Sequence, residues 1–146
     1  MNTLINNKIL CKDIMSKNPI TCYLNTSIKE VALKMTTYNI GYIPIVFDDK
    51  KTLAGVITDR DIVTRAISKN KDTSMPISLF ITREFVTVFD TDDISIAISK
   101  MADYQLKRII VTDNNYYLTG IISIKDIALN PLVSKYLNDL LKEISF

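Results

Sequence analysis

The stretch Gly55-Val56-Ile57-Thr58-Asp59-Arg60-Asp61 returns 65 residues later as Gly120-Ile121-Ile122-Ser123-Ile124-Lys125-Asp126. In both copies a β-branched run ends on a hydroxyl residue, and a carboxylate follows three positions on. Thr and Ser at the end of an extended run are natural helix N-caps, and an acid in the first turn favours the helix dipole. The segment therefore predicts a strand running into a helix, twice. Working outward, a shift of 66 pairs Ile20-Thr21 with Val86-Thr87, Ile28 with Ile94, Lys34 with Lys100, Met35 with Met101 and Ile43 with Ile109. One extra residue near Phe47 changes the shift to 65, after which Asp48 meets Asp113 and Leu53 meets Leu118. Two repeats are too few for a solenoid, which needs about three or more, so the pattern predicts a closed, pseudo-symmetric pair.

Each repeat reads strand, helix, strand, strand, helix, which places the chain in the α+β class. Extended pieces at Ile20–Tyr23 and Val86–Phe89 lead into helices capped by Ser27 and Asp93. Ser27 with Glu30 has the spacing of a capping box. Ile28, Val31, Ala32 and Met35, and again Ile94, Ala97, Ile98 and Met101, form helical apolar stripes, so both methionines are expected in the core. Paired strands are expected at Tyr42–Phe47 with Thr52–Ile57, and at Arg108–Thr112 with Tyr117–Ile122. Polar Lys69–Ser74 reads as the connection, giving repeats over 1–72 and 73–130. A helix over 131–146 would begin at Pro131, with Val133, Tyr136, Leu137, Leu140, Leu141 and Ile144 as its apolar stripe. It would cover the pair's own edge or another copy.

The 146 residues are 47% hydrophobic and 23% charged with net charge +2, a globular composition able to form a core without disulfides or metal. Histidine is absent, which excludes His-ligated zinc and any Ser-His-Asp triad. Cys11 and Cys22 lack metal or redox spacing and read as reduced thiols of a cytoplasmic protein. No run approaches the ~18 apolar residues of a membrane helix, and no stripe of Lys and Arg interleaved with aromatics points to nucleic acid.

Two readings of the repeated turn stand side by side. Thr58 and Ser123 can be caps only. Alternatively, the free N–H groups of the helix start attract phosphate while Asp61 or Asp126 accepts bonds from ribose hydroxyls. Gly-x-x-Thr/Ser-x-x-Asp after a strand, downstream of a capped helix, resembles the cystathionine β-synthase (CBS) domain. KDIMSKNPITCYLNTSIKEVALKM and IPIVFDDKKTLAGVITDRDIV are similar to that family's consensus, and the second repeat keeps GIISIKDIA. The resemblance covers about residues 9–130.

It implies a CBS pair whose halves pack through their sheets, with two clefts binding adenosine-containing ligands: AMP, ADP, ATP or S-adenosylmethionine. Carried over by position, the first cleft uses Thr58, Arg60 and Asp61, Val86 and Thr87 against adenine, and Arg108 with neighbouring Lys107 toward phosphate. The second uses Ser123 and Asp126, with Ile20, Thr21, Tyr42 and Pro44. Arg108 can grip phosphate in a fork, and its counterpart is Tyr42, so the first cleft is the expected nucleotide site. Ile110 stands where Pro44 stands in the first repeat, so the family's proline is missing once. The expected role is a stand-alone regulatory module, not an enzyme, with no metal. It would be a twofold homodimer acting on a regulated enzyme or transporter. The alternative is an interaction module without a small-molecule ligand.

Overall fold

The computed structural model of the chain describes residues 8–144. In order these form α1 (Cys11–Ile14), β1 (Ser16–Lys17), β2 (Cys22–Tyr23), α2 (Ile28–Tyr38), β3 (Tyr42–Val46), β4 (Leu53–Thr58) and α3 (Asp59–Asp61). The second half contributes β5 (Thr87–Phe89), α4 (Ile94–Asp103), β6 (Arg108–Thr112), β7 (Leu118–Ser123), α5 (Ile124–Leu129) and α6 (Leu137–Glu143). The expected α+β repeat is present twice.

The chain divides into two units. Residues 19–85 form one around a three-stranded sheet in the order β2-β3-β4, with β2 parallel to β3 and β3 antiparallel to β4. Its core gathers Ile28, Val31 and Met35 of α2, Ile43, Ile45 and Ile57 of the sheet, and Ile77, Phe80 and Ile81. The other unit joins residues 86–144 to residues 8–18 around the sheet β1-β7-β6-β5. Ile94, Ala97 and Met101 of α4, Ile109, Val111 and Ile122 of the sheet, and Cys11 and Ile14 form its core. Register irregularities at Ile45/Val46 and Val111/Thr112 match each other, and Val46 pairs with Leu53 as Thr112 pairs with Leu118. The extra residue of the first repeat therefore lies in the intervening turn, as the change of shift requires.

The compact units do not coincide with the repeats. Residues 73–85 pack in the unit of the first repeat, and the arm at 8–18 in the unit of the second. The physical reason is open hydrogen-bonding edge. Val56 exchanges both backbone bonds with Thr82 at 2.9 Å, and Ser16 and Lys17 pair antiparallel with Ile121 and Gly120. Cys11 N–H donates to the Asp92 carbonyl at 2.8 Å, and Ile77 N–H to the Thr26 carbonyl at 2.7 Å. Glycine makes the close approach possible. A Cβ on Gly55 would lie 2.5 Å from the Thr82 carbonyl oxygen, and one on Gly120 2.9 Å from that of Ser16 and 2.5 Å from Met15 Sδ.

The caps stand where the sequence puts them, but at Ser27 only the acceptor half of the expected box forms. Ser27 accepts from Glu30 N–H at 3.1 Å, and Asp93 from Ser95 N–H at 2.9 Å, a bond that lowers the Asp93 pKa. Beyond α3 the chain widens into a π-turn over Ile62–Ala66. Thr64 and Ser68 hydroxyls bond back to the Arg60 and Thr64 carbonyls at 2.9 and 2.6 Å, competing with the α-helical ladder. The last helix starts later than Pro131, because Asn130 first builds a turn with Leu132 and Val133. Val133, Leu140 and Ile144 then enter the core of their own unit, while Tyr136 and Leu141 stay 41% and 37% exposed.

Candidate functional site

Each repeat ends its last strand on a reciprocally capped turn. Asp61 N–H donates to Thr58 Oγ1 at 3.1 Å, and Thr58 N–H to Asp61 Oδ2 at 3.0 Å. Asp126 N–H donates to Ser123 Oγ at 3.1 Å, while Ser123 N–H and hydroxyl donate to Asp126 Oδ2 at 2.9 and 3.0 Å. The hydroxyl and carboxylate thus fix one another, and the cap reading holds for both turns. Both aspartates are half-buried. The second carboxylate oxygen differs: Asp61 Oδ1 faces Arg65 Nη2 at 3.4 Å, whereas Asp126 Oδ1 accepts from the Ser16 hydroxyl at 3.1 Å. Arg65 also donates to the Phe80 carbonyl at 2.8 Å, so both turns are tied to a segment that precedes a repeat.

The remaining candidates line the same strands. Tyr42 pairs with Thr58 and Arg108 with Ser123, so within each repeat the start of the middle strand flanks that repeat's own turn. Pro44 lies opposite Val56, and Ile110 opposite Ile121 and Thr87. Both are buried in strands, where they act through shape. Arg60, Lys107 and Arg108 are exposed, and the Lys107 carbonyl accepts from Ile124 N–H at 3.1 Å. Ile20 and Val86 pack at the margins of their respective cores. Thr21 and Thr87 offer their carbonyls to the matched lysines Lys34 and Lys100, at 2.8 and 3.0 Å.

Sequence reasoning aligned those lysines without giving them a task. It missed Ser16 and Arg65 altogether. A separate hollow of about 230 Å³, lined by Thr87, Phe89, Asp92, Lys100 and Tyr116, includes neither Ser123 nor Asp126.

Among the described residues no group of three His, Cys, Asp or Glu is placed to hold a metal ion. Burial first, then Asp92, Asp93 and Asp90, push the Cys11 thiol up to about 12, and burial also raises Cys22. Protonated thiols are poor nucleophiles, so both cysteines serve as core side chains. No helix of the described residues is long and apolar enough to cross a membrane.

The family model described as CBS domain matches residues 11–68 and 77–131. Protein YlbB of Bacillus subtilis is 36% identical over 134 residues, spanning 92% of this chain and 90% of that protein. The crystal structure of the CBS domain pair of MJ0100, in complex with 5′-methylthioadenosine and S-adenosyl-L-methionine, superposes with a TM-score of 0.71. It is 35% identical and covers 82% of this chain and 97% of that one. The CBS domain protein PAE2072 from Pyrobaculum aerophilum, complexed with AMP, gives a TM-score of 0.76 at 25% identity, covering 90% and 99%.

Proposed function

The chain belongs to the CBS-domain family, and we propose that it is a regulatory module, not an enzyme, that binds an adenosine-containing ligand at its strand-to-helix turns. The ligand class is AMP, ADP, ATP or S-adenosylmethionine. The observation that carries the reading is the doubled turn, in which one carboxylate oxygen accepts the backbone N–H of the hydroxyl residue three positions before it, in both repeats. A carboxylate so fixed is a ready acceptor for ribose hydroxyls, with the ordering cost already met by the fold. Likeness to the MJ0100 pair and to PAE2072, whose complexes hold adenosyl compounds, supports that ligand class. Lys107 and Arg108 supply cations for a phosphate group. Binding shifts the protein toward the arrangement the ligand prefers, by no more than its differential affinity for the two. A partner enzyme or transporter reads that shift, and the module works as a homodimer.

The test is a thermal-shift series with AMP, ADP, ATP and S-adenosylmethionine on wild type, Asp61→Ala and Asp126→Ala. At 100-fold over its dissociation constant a ligand adds about 2.7 kcal/mol, which is several degrees at this size. A shift with one adenosyl compound, lost in Asp61→Ala more than in Asp126→Ala, is the expected result. A folded wild type that responds to none of them is an interaction module instead.

A further inference from the structure

If the proposed ligand class holds, a ribose reaches the second turn only by replacing a bond the chain already makes. A carboxylate has about four acceptor positions on its two oxygens. Asp126 already uses three: Oδ2 takes the Ser123 amide and hydroxyl, and Oδ1 takes the Ser16 hydroxyl at 3.1 Å. A ribose offers two adjacent hydroxyl donors. For both to reach this carboxylate, one existing donor must leave. The Ser123 pair is built into the helix cap, with its amide and hydroxyl both committed. Ser16 is exposed and sits on a two-residue strand, so it is the donor released at least cost.

We infer that Ser16 is a ligand-displaced latch: occupancy of the Asp126 turn removes its hydroxyl bond and loosens the 15–18 segment on β7, leaving the backbone pairing of Ser16 and Lys17 to hold it. Cys11 and Ile14 in the core, with Met15 packed against it, hold the start of the arm in place. Asn18, bonded to the Thr119 carbonyl at a long 3.4 Å, is the last residue before the chain enters the first repeat's unit. The loosened segment is therefore the lead into that unit. At the Asp61 turn, Oδ1 faces Arg65, which arises from the same repeat, so the hydroxyl latch belongs to the second turn.

The experiment is isothermal titration of wild type, Ser16→Ala and Asp126→Ala with S-adenosylmethionine and with AMP. Amide exchange of residues 15–18, with and without the bound compound, is followed alongside. Ser16→Ala should bind about three- to tenfold more tightly, since its ligand no longer displaces a hydrogen bond. In wild type, the compound should speed exchange of the segment. Equal or weaker binding by Ser16→Ala overturns the latch and makes Ser16 a bystander or a ligand contact. Binding that Asp126→Ala leaves unchanged also overturns the latch, with adenosyl recognition surviving at Asp61. No binding by wild type or Ser16→Ala, with both folded by circular dichroism, overturns the proposed function and the latch together.

Discussion

Thr112 carries a hydroxyl that is 2% exposed and has no hydrogen-bond partner among the described residues. Leaving such a group unsatisfied costs about 1–3 kcal/mol. The matched position of the first repeat is Val46, in the same register beside the same irregularity. Thr112→Val should therefore stabilise the protein by about 1 kcal/mol, raising its melting temperature by about 2–4 °C in calorimetry. A lower melting temperature would mean that an ordered water satisfies the hydroxyl. What the sequence revealed at this scale was local. Thr58, Asp61, Ser123 and Asp126 are legible because a cap and its partner sit three positions apart. Ser16 meets Asp126 from 110 positions away, and Arg65 reaches Asp61 and Phe80 through a π-turn that no periodicity announces.

Elements were legible where amphipathic spacing or β-branched runs were long. Helices α2 and α4 and the paired strands stand where the repeat puts them, and Met35 and Met101 lie in their cores. The two-residue strand β1 and the 3₁₀ turn Ile77–Leu79 were not legible, since their pairing depends on distant partners. The glycine that opens each repeated motif belongs to this scale. Its lack of a side chain lets the segment that leads into the other repeat lie against the strand, so the motif encodes a packing contact as well as a cap. Gly55→Ala places a methyl 2.5 Å from a backbone oxygen, which cannot rotate away. Such overpacking costs about 1–3 kcal/mol, and the loss should appear as a lower urea midpoint with an unchanged slope. An unchanged midpoint would mean that the 76–83 segment moves freely from β4.

At the scale of the whole molecule, the repeat boundary in sequence and the boundary in space differ, because the chain passes between units at 18/19 and at 85/86. Periodicity locates copies of a motif; it carries no information on which copy a flanking segment joins. A circular permutant follows from this. Starting at Val86 and linking residue 146 to residue 1 would make both units continuous in sequence. Ile9 and Ile144 both pack on the same core, so a flexible linker of about 12 residues, spanning about 20 Å, should suffice. The permutant should keep the wild-type circular dichroism spectrum and the same thermal response to adenosyl compounds; a molten spectrum would refute the assignment of residues 8–18. The exchanged arms also bear on ancestry. A single repeat made alone keeps its own leading segment but lacks the one that closes its sheet. Two such copies would complete each other by trading leaders, as a domain-swapped dimer. Tandem duplication converts that trade into an intramolecular one and frees the two halves to diverge.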